Sequence, residues 1–307
     1  MKYFELGKTG LQVSNIAMGC MRITGRTKEE VARLIETAVE EGVNFFDHAD
    51  IYGGDHACEA YFAESLALTN VRRENMIVQT KCGIRPFGYD FSCSHILKQV
   101  DDSLKRLNMD YLDVLLLHRP DALMEPDEVA EAFDRLHSAG KVRFFGVSNH
   151  NPMQIRLLEK SLRQKLHVNQ LQMGIAHTPM IDSGMAVNMS IDQSINRDGS
   201  VLDYCRLNDI TIQAWSPFQK GFFEGVVLND DEKYAALNKE IRRLAAQYEV
   251  APTAIAVAFL TRHPANIQVI LGTTSIDHMR ESCAGASLPL TREEWYGLYK
   301  AAGNMIP

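Results

Sequence analysis

Tyr111-Leu112-Asp113-Val114-Leu115-Leu116-Leu117-His118 is a nearly unbroken apolar run that ends on a histidine. A strand with one wet face would alternate apolar and polar residues. A run without alternation suits a strand covered on both faces, which is the environment of a parallel sheet. Working outward, similar short runs recur at residues 16–19, 44–48, 76–82, 142–148, 168–172, 211–215 and 268–271. Longer amphipathic segments lie between them. In residues 27–41, Val31, Leu34, Ile35, Ala38 and Val39 fall on one helical face, Thr27 and Glu30 have capping-box spacing, and Gly42 ends the segment. Residues 56–68, 92–107, 126–139 and 152–162 read as further helices. Strands alternating with helices form either an open doubly wound sheet or a closed barrel. The count of eight favours an α/β fold of the (β/α)8 TIM barrel type. So does the absence of G-x-G-x-x-G after the first strand. An N-terminal β-hairpin, residues 3–6 with 11–13 around Lys8-Thr9-Gly10, is expected to close the bottom of the barrel. Residues 1–307 read as a single domain.

Composition narrows the function. A chain of 307 residues suits one barrel, and 46 % hydrophobic content supplies a large core. A net charge of −7 argues against nucleic acid or an anionic membrane as partner. It leaves room for an anionic cofactor at a helix N-terminus. The six cysteines form no C-x-x-C pair and read as reduced thiols. The N-terminus has no apolar h-region, and no apolar run approaches the ~18 residues of a membrane span. Together these give a cytoplasmic protein as the expectation, with a monomer as the default because no heptad or swapped arm is evident. Metal-site and Walker patterns are absent from the sequence, so no metal is expected.

Barrel enzymes build their sites from residues just past the C-terminal ends of the strands. Phe46-Asp47-His48-Ala49-Asp50-Ile51-Tyr52-Gly53 follows the second strand, Thr80-Lys81-Cys82-Gly83 the third, and Leu117-His118-Arg119-Pro120-Asp121 the fourth. Taken alone, the Asp is most often a cap, the Tyr packing, the Lys a solvated tip and the His structural. Four such residues at corresponding ends of three neighbouring strands are hard to assign to packing. A long stretch, residues 174–199, breaks the rhythm after the sixth strand and reads as a pocket wall or lid.

Asp47, Tyr52, Lys81 and His118 resemble, in order and spacing, the catalytic tetrad of the aldo/keto reductase superfamily. The resemblance extends to Gly146-Val147-Ser148-Asn149, Asn169-Gln170, Trp215-Ser216-Pro217-Phe218 and Gly272-Thr273-Thr274-Ser275, and so spans essentially the whole chain. The phrases around Asp47 and His118 look like a bacterial branch of oxidoreductases within it. The resemblance implies hydride transfer from a nicotinamide cofactor to the carbonyl of an aldehyde or ketone. Tyr52 would be the general acid that protonates the resulting alkoxide. A free Tyr has a pKa of about 10, and a Lys81 ammonium beside it is expected to lower that value. Asp47 would hold Lys81 charged, and His118 would orient the substrate oxygen as a neutral imidazole.

The resemblance also implies the cofactor contacts. It puts Ser148, Asn149 and Gln170 on the carboxamide and Trp215 on the ring face, where relatives often have Tyr. Gly19 and Met21 at the end of the first strand are counted with these contacts. Ser216 and Phe218 begin a loop that could close over the pyrophosphate. Thr273, Thr274 and Ser275 precede a helix expected near Asp277, and offer hydroxyls and N–H groups to phosphate. Relatives that take the 2′-phosphate commonly carry Lys-Ser, then Arg and Asn, in this last motif. Here Gly272 and Thr273, His278 and Ser282 occupy those positions, with Arg280 as a substitute cation. NADP is the expected cofactor and NAD the alternative. Met21, Arg22 and residues 85–89 are expected to line the substrate pocket, where Arg22 or Arg85 could meet an acidic compound. Two other readings stand beside this one. A barrel of the same fold could bind the cofactor only to report redox state, as potassium-channel β-subunit relatives do. An unrelated barrel lyase could use Lys81 as a Schiff-base nucleophile.

Overall fold

The computed structural model describes residues 1–54, 56–220 and 225–306. Tyr3–Glu5 (β1) and Gln12–Ser14 (β2) form the antiparallel hairpin. The chain then alternates: Ile16–Gly19 (β3), Lys28–Glu40 (α1), Phe45–Asp47 (β4), Ala57–Leu66 (α2) and Ile77–Cys82 (β5). A two-strand flap, Ile84–Arg85 (β6) with Gly88–Tyr89 (β7), stands where a plain loop was expected. Cys93–Leu107 (α3), Leu112–Leu117 (β8), Pro126–Ser138 (α4), Val142–Ser148 (β9), Pro152–Glu159 (α5) and Leu166–Gln172 (β10) follow. Pro179–Met185 (α6), Val201–Leu207 (α7), Thr211–Trp215 (β11), Ala235–Gln247 (α8), Pro252–Thr261 (α9), Gln268–Leu271 (β12), Ile276–Cys283 (α10) and Arg292–Ala301 (α11) complete the order.

Strands β3, β4, β5, β8, β9, β10, β11 and β12 close into a barrel of eight, every neighbouring pair parallel. The fold is the expected (β/α)8 barrel. Side chains alternate across each strand. Outward residues such as Met18, Phe46, Val78, Leu115 and Phe145 pack beneath the helices. Inward residues Ala17, Phe45, Ile77, Val114, Leu116, Val168 and Ile270 form a second cluster with Leu6 and Val13 of the hairpin. The hairpin therefore plugs the bottom, as expected. Gly7 permits the fit: its φ is +46°, and a Cβ there would lie 2.5 Å from the His167 carbonyl oxygen.

The cap anticipated from the sequence is present: Thr27 and Glu30 form a capping box on α1. Asn151 with Gln154 forms a second one on α5. Helix α5 ends at Glu159, short of the expected 162, and β10 begins at Leu166, whose partner is Phe145. The larger correction concerns residues 174–199. They hold α6 and a 3-10 turn, Asp192–Ser194, and are tied to the C-terminal segment. Tyr299 donates to Asp182 (2.8 Å), Asn304 Nδ2 to Thr178 Oγ1 (3.1 Å), and Gln193 Nε2 to the Met305 carbonyl (2.9 Å). Polar residues that read as a lid instead fasten two surface segments together. All six cysteines are unpaired, and five are buried. Among the described residues no single helix is long and apolar enough to cross a membrane.

Candidate active site

Barrel closure brings the tetrad together. Asp47 and Lys81 point inward from the ends of β4 and β5, Tyr52 returns on the turn after β4, and His118 follows β8. Lys81 is fully buried, and its ammonium donates to Asp47 Oδ1 (2.8 Å), Asp47 Oδ2 (2.8 Å), the His48 carbonyl (2.8 Å) and Tyr52 Oη (3.0 Å). Burial alone would depress the Lys81 pKa. The Asp47 carboxylate and Tyr52 more than offset it and leave the value above the usual lysine range. Lys81 is therefore held as a cation, whereas a Schiff-base nucleophile must be a free neutral amine.

Tyr52 departs from expectation in direction. Burial raises its pKa above the usual value, and the Asp47 carboxylate adds to this, although Lys81 pulls it down. The phenol accordingly stays protonated near neutrality and is suited to donating a proton. The Tyr52 and His118 rings meet edge to face, with centroids 6.1 Å apart. Burial, then repulsion by Lys81 and Arg119, drives the His118 pKa well below the usual imidazole range. Its Nδ1 is buried without a partner among the described residues. The imidazole is neutral, as expected.

Asp47, Tyr52 and His118 form part of the wall of a cleft of about 1050 Å³ at the C-terminal ends of the strands, with Lys81 buried behind them; the volume is at the upper end of the few hundred to ~1,000 Å³ usual for ligand sites. Gly19 and Met21 line one side. A Cβ at Gly19 would lie 3.0 Å from Ile270 Cγ2 and 3.2 Å from the Leu271 carbonyl oxygen, so a larger residue would push into the strand beside it. Ser148, Asn149, Gln170 and Trp215 line the deep part. They are bonded to one another: Ser148 Oγ donates to the Gln170 carbonyl (2.9 Å), Asn149 Nδ2 to Ser148 Oγ (2.8 Å), and Trp215 Nε1 to Asn149 Oδ1 (3.1 Å). Asn149 and Ser216 adopt left-handed backbone, with φ of 61° and 54°, which turns the chain at both strand ends. Ser216 and Phe218 also face the cleft. The loop they begin runs through residues 221–224, which lie outside the described residues.

At the far end, Thr273, His278 and Ser282 line the cleft, and the buried Ser282 hydroxyl has no partner among the described residues. Thr274 and Ser275 do not line it. Thr274 accepts from Arg26 Nε (3.3 Å), and Ser275 caps α10 by accepting from the His278 N–H (3.3 Å). Helix α10 starts at Ile276, one residue before the expected position, because Ser275 supplies the cap. Arg280 lies on another face, 3.8 Å from Glu41.

Arg85, expected near the substrate, is instead bound to Asp90 (3.0 Å) and His95 (3.2 Å). The arginines that reach the cleft are Arg22, Arg119 and Arg242. Arg119 stands beside His118, with its guanidinium 5.6 Å from the Trp215 ring centroid. The sequence placed Arg119 inside a motif without giving it a role. Its position directly after the rim histidine was the available signal. Arg242 and Asn238 come from α8, which no rim motif marks.

The closed parallel barrel thus carries at one rim a Lys–Asp ion pair bonded to a Tyr, beside a buried His and a cleft. The aldo/keto reductase family model matches residues 15–301. An uncharacterized oxidoreductase of Bacillus subtilis, YcsN, is 35% identical over 97% of this chain and 97% of its own length. The oxidoreductase YdhF of Escherichia coli is 34% identical over 97% of both chains. A 6-dehydroglucose reductase of Novosphingobium aromaticivorans is 34% identical over 99% of this chain and 96% of its own. In structure, the chain is similar to the thermostable aldo-keto reductase Tm1743, with a TM-score of 0.78, 25% identity, and coverage of 98% of this chain and 100% of that one. The chain belongs to the aldo/keto reductase family and is an oxidoreductase.

Proposed function

We propose that the protein is an NADP(H)-dependent reductase of aldehydes or ketones, with Tyr52 as the proton donor. The observation that carries this is the Lys81 ammonium, buried and bonded to both Asp47 and Tyr52 beneath the cleft. The donor set fits a dinucleotide. Gln170, Asn149 and the Trp215 face are suited to a nicotinamide, while Thr273, His278 and the orphaned Ser282 hydroxyl are suited to the ribose-phosphate end. When bound, the reduced cofactor supplies hydride. Tyr52 gives a proton to the oxygen that becomes an alcohol, and Lys81 stabilises the phenolate left behind. Neutral His118 orients the substrate oxygen. The raised Lys81 pKa weighs against the lyase reading, and the complete tetrad against a purely reporting role.

The preference for NADP over NAD rests on the family habit and on Ser282 and His278. Cytoplasmic location and a monomeric state belong to the same proposal. Titration with NADPH and NADH, following fluorescence, is the test. Of the two tryptophans, Trp215 lines the cleft, while Trp295 stacks on Phe259 with centroids 4.8 Å apart and supplies a constant background. Saturable quenching, tighter for NADPH, is expected. Binding of neither would remove the reading.

A further inference from the structure

Four glutamines fill the middle of the barrel: Gln79 on β5, Gln170 on β10, Gln213 on β11 and Gln268 on β12, each at most 2% exposed. Strand interiors rarely hold so much amide, so their partners matter. Gln79 Nε2 and Gln170 Nε2 both donate to Asp47 Oδ1, at 2.6 and 2.9 Å. Both also donate to Gln213 Oε1, at 2.8 and 2.9 Å. Gln213 Nε2 donates to Gln268 Oε1 (2.8 Å), and Gln268 Nε2 to the Ser14 carbonyl (2.7 Å).

Chemistry dictates every orientation. The Asp47 carboxylate, held by Lys81, can only accept, so Gln79 and Gln170 must turn their NH₂ groups to it. Their second hydrogens then require the oxygen of Gln213. That turns the Gln213 NH₂ to Gln268, whose own NH₂ finds a backbone carbonyl. Turning any one amide over would set donor against donor or acceptor against acceptor. Gln79 keeps this orientation although its Oε1 is left buried without a partner. Gln170 has spent both N–H groups inside the barrel, so only its carbonyl oxygen remains for the cleft that it lines.

We infer that Gln213 and Gln79 are positioning residues that lock Asp47 and Gln170 into one unit. The charged end of the tetrad thereby dictates that Gln170 shows an acceptor to the cofactor's carboxamide NH₂. This deepens the reductase reading and rests on it.

The test uses the full chain with Gln213→Met and Gln79→Met, each close in shape but lacking the amide, and with thermal unfolding to confirm that each folds. In the wild type the side-chain amide hydrogens of Gln79 and Gln170 are expected to exchange slowly with solvent by NMR. In Gln213→Met, exchange at Gln170 is expected to speed up by about tenfold or more. Each substitution is expected to lower kcat about 10- to 100-fold, the range seen when groups behind a reacting residue are removed. The KM for the carbonyl compound should stay within about threefold, and the double variant should fall little below the worse single one. Exchange in the wild type as fast as at surface glutamines would overturn the inference. So would multiplicative kcat losses in the double variant, or a change in KM alone. If the variants do not fold, wild-type exchange still decides. If the wild type reduces no carbonyl at all, the reductase reading fails and amide exchange alone decides the coupling.

Discussion

Lys81→Met separates the folding role of the buried pair from its chemical role. The substitution leaves the Asp47 carboxylate 2% exposed and facing two glutamine donors at 2.6 and 2.9 Å without a counter-charge. Removing one partner of a buried ion pair costs about 3–5 kcal/mol. The two surviving amide donors place the expected cost near 3 kcal/mol, and at ~2–4 °C per kcal/mol the melting temperature should fall by roughly 6–12 °C. Activity should fall by at least about 10²-fold, the low end of what acid–base assistance contributes. Adding Asp47→Asn removes the stranded charge while keeping an oxygen for Gln79 and Gln170. The double variant should therefore recover to within about 1–2 kcal/mol of the wild type yet remain inactive. Urea unfolding followed by circular dichroism reads the stability, and consumption of the reduced cofactor reads the activity. A double variant destabilised by the sum of its parts would refute the stranded-charge reasoning, and an active Lys81→Met variant would refute the chemical role.

Other perturbations follow from the same geometry. The Asp50 carboxyl is buried, and burial with the nearby Glu59 raises its pKa from 3.8 to about 7, although the Ile51 backbone N–H pulls it down. The folded state thus holds this proton more tightly, so the stability tied to it is present at low pH and is lost as pH rises from about 4 to about 7. Asp50→Asn should stabilise the protein above pH ~7, by up to about 4 kcal/mol at 1.36 kcal/mol per unit, and flatten the pH dependence of unfolding; an unchanged pH slope would contradict this. Arg119→Met should cost substrates bearing a carboxylate or phosphate about 10- to 100-fold in kcat/KM and neutral ones much less. Equal losses for both classes would mean that Arg119 only supports Trp215. Trp215→Phe should weaken NADPH binding about 3- to 10-fold and abolish most of the quenching; retained quenching would move the nicotinamide away from this ring.

Much of the fold was legible because burial on both faces leaves a local mark. Leu112–Leu117 is buried throughout, and its apolar run alone implied a parallel sheet. The tetrad was legible because strand ends map to one rim in a barrel, whatever the tilt. The segment 174–199 misled because length and polarity describe a free loop and a fastened one equally well. Its partners Tyr299, Asn304 and Met305 lie over a hundred residues away, beyond any local pattern. Three of the four glutamines were opaque for a related reason. A polar residue in a strand reads as facing water, and only closure of the barrel turns Gln79, Gln213 and Gln268 inward. Arg85 and Arg119 differ likewise. Each sits near a rim, and the β6–β7 flap, with Asp90 and His95, takes Arg85 away from the cleft.

The most direct test of the central reading is transfer of deuterium from NADPH labelled at the reactive nicotinamide carbon to an aldehyde, followed by mass spectrometry, in the wild type and in Tyr52→Phe. The expected result is labelled alcohol from the wild type and a loss of about 10²–10⁴-fold in the variant, with NADPH binding by fluorescence unchanged. Labelled alcohol formed equally fast without the Tyr52 hydroxyl would remove it as the proton donor. NADPH binding without label transfer to any carbonyl from the wild type would contradict the reductase reading itself.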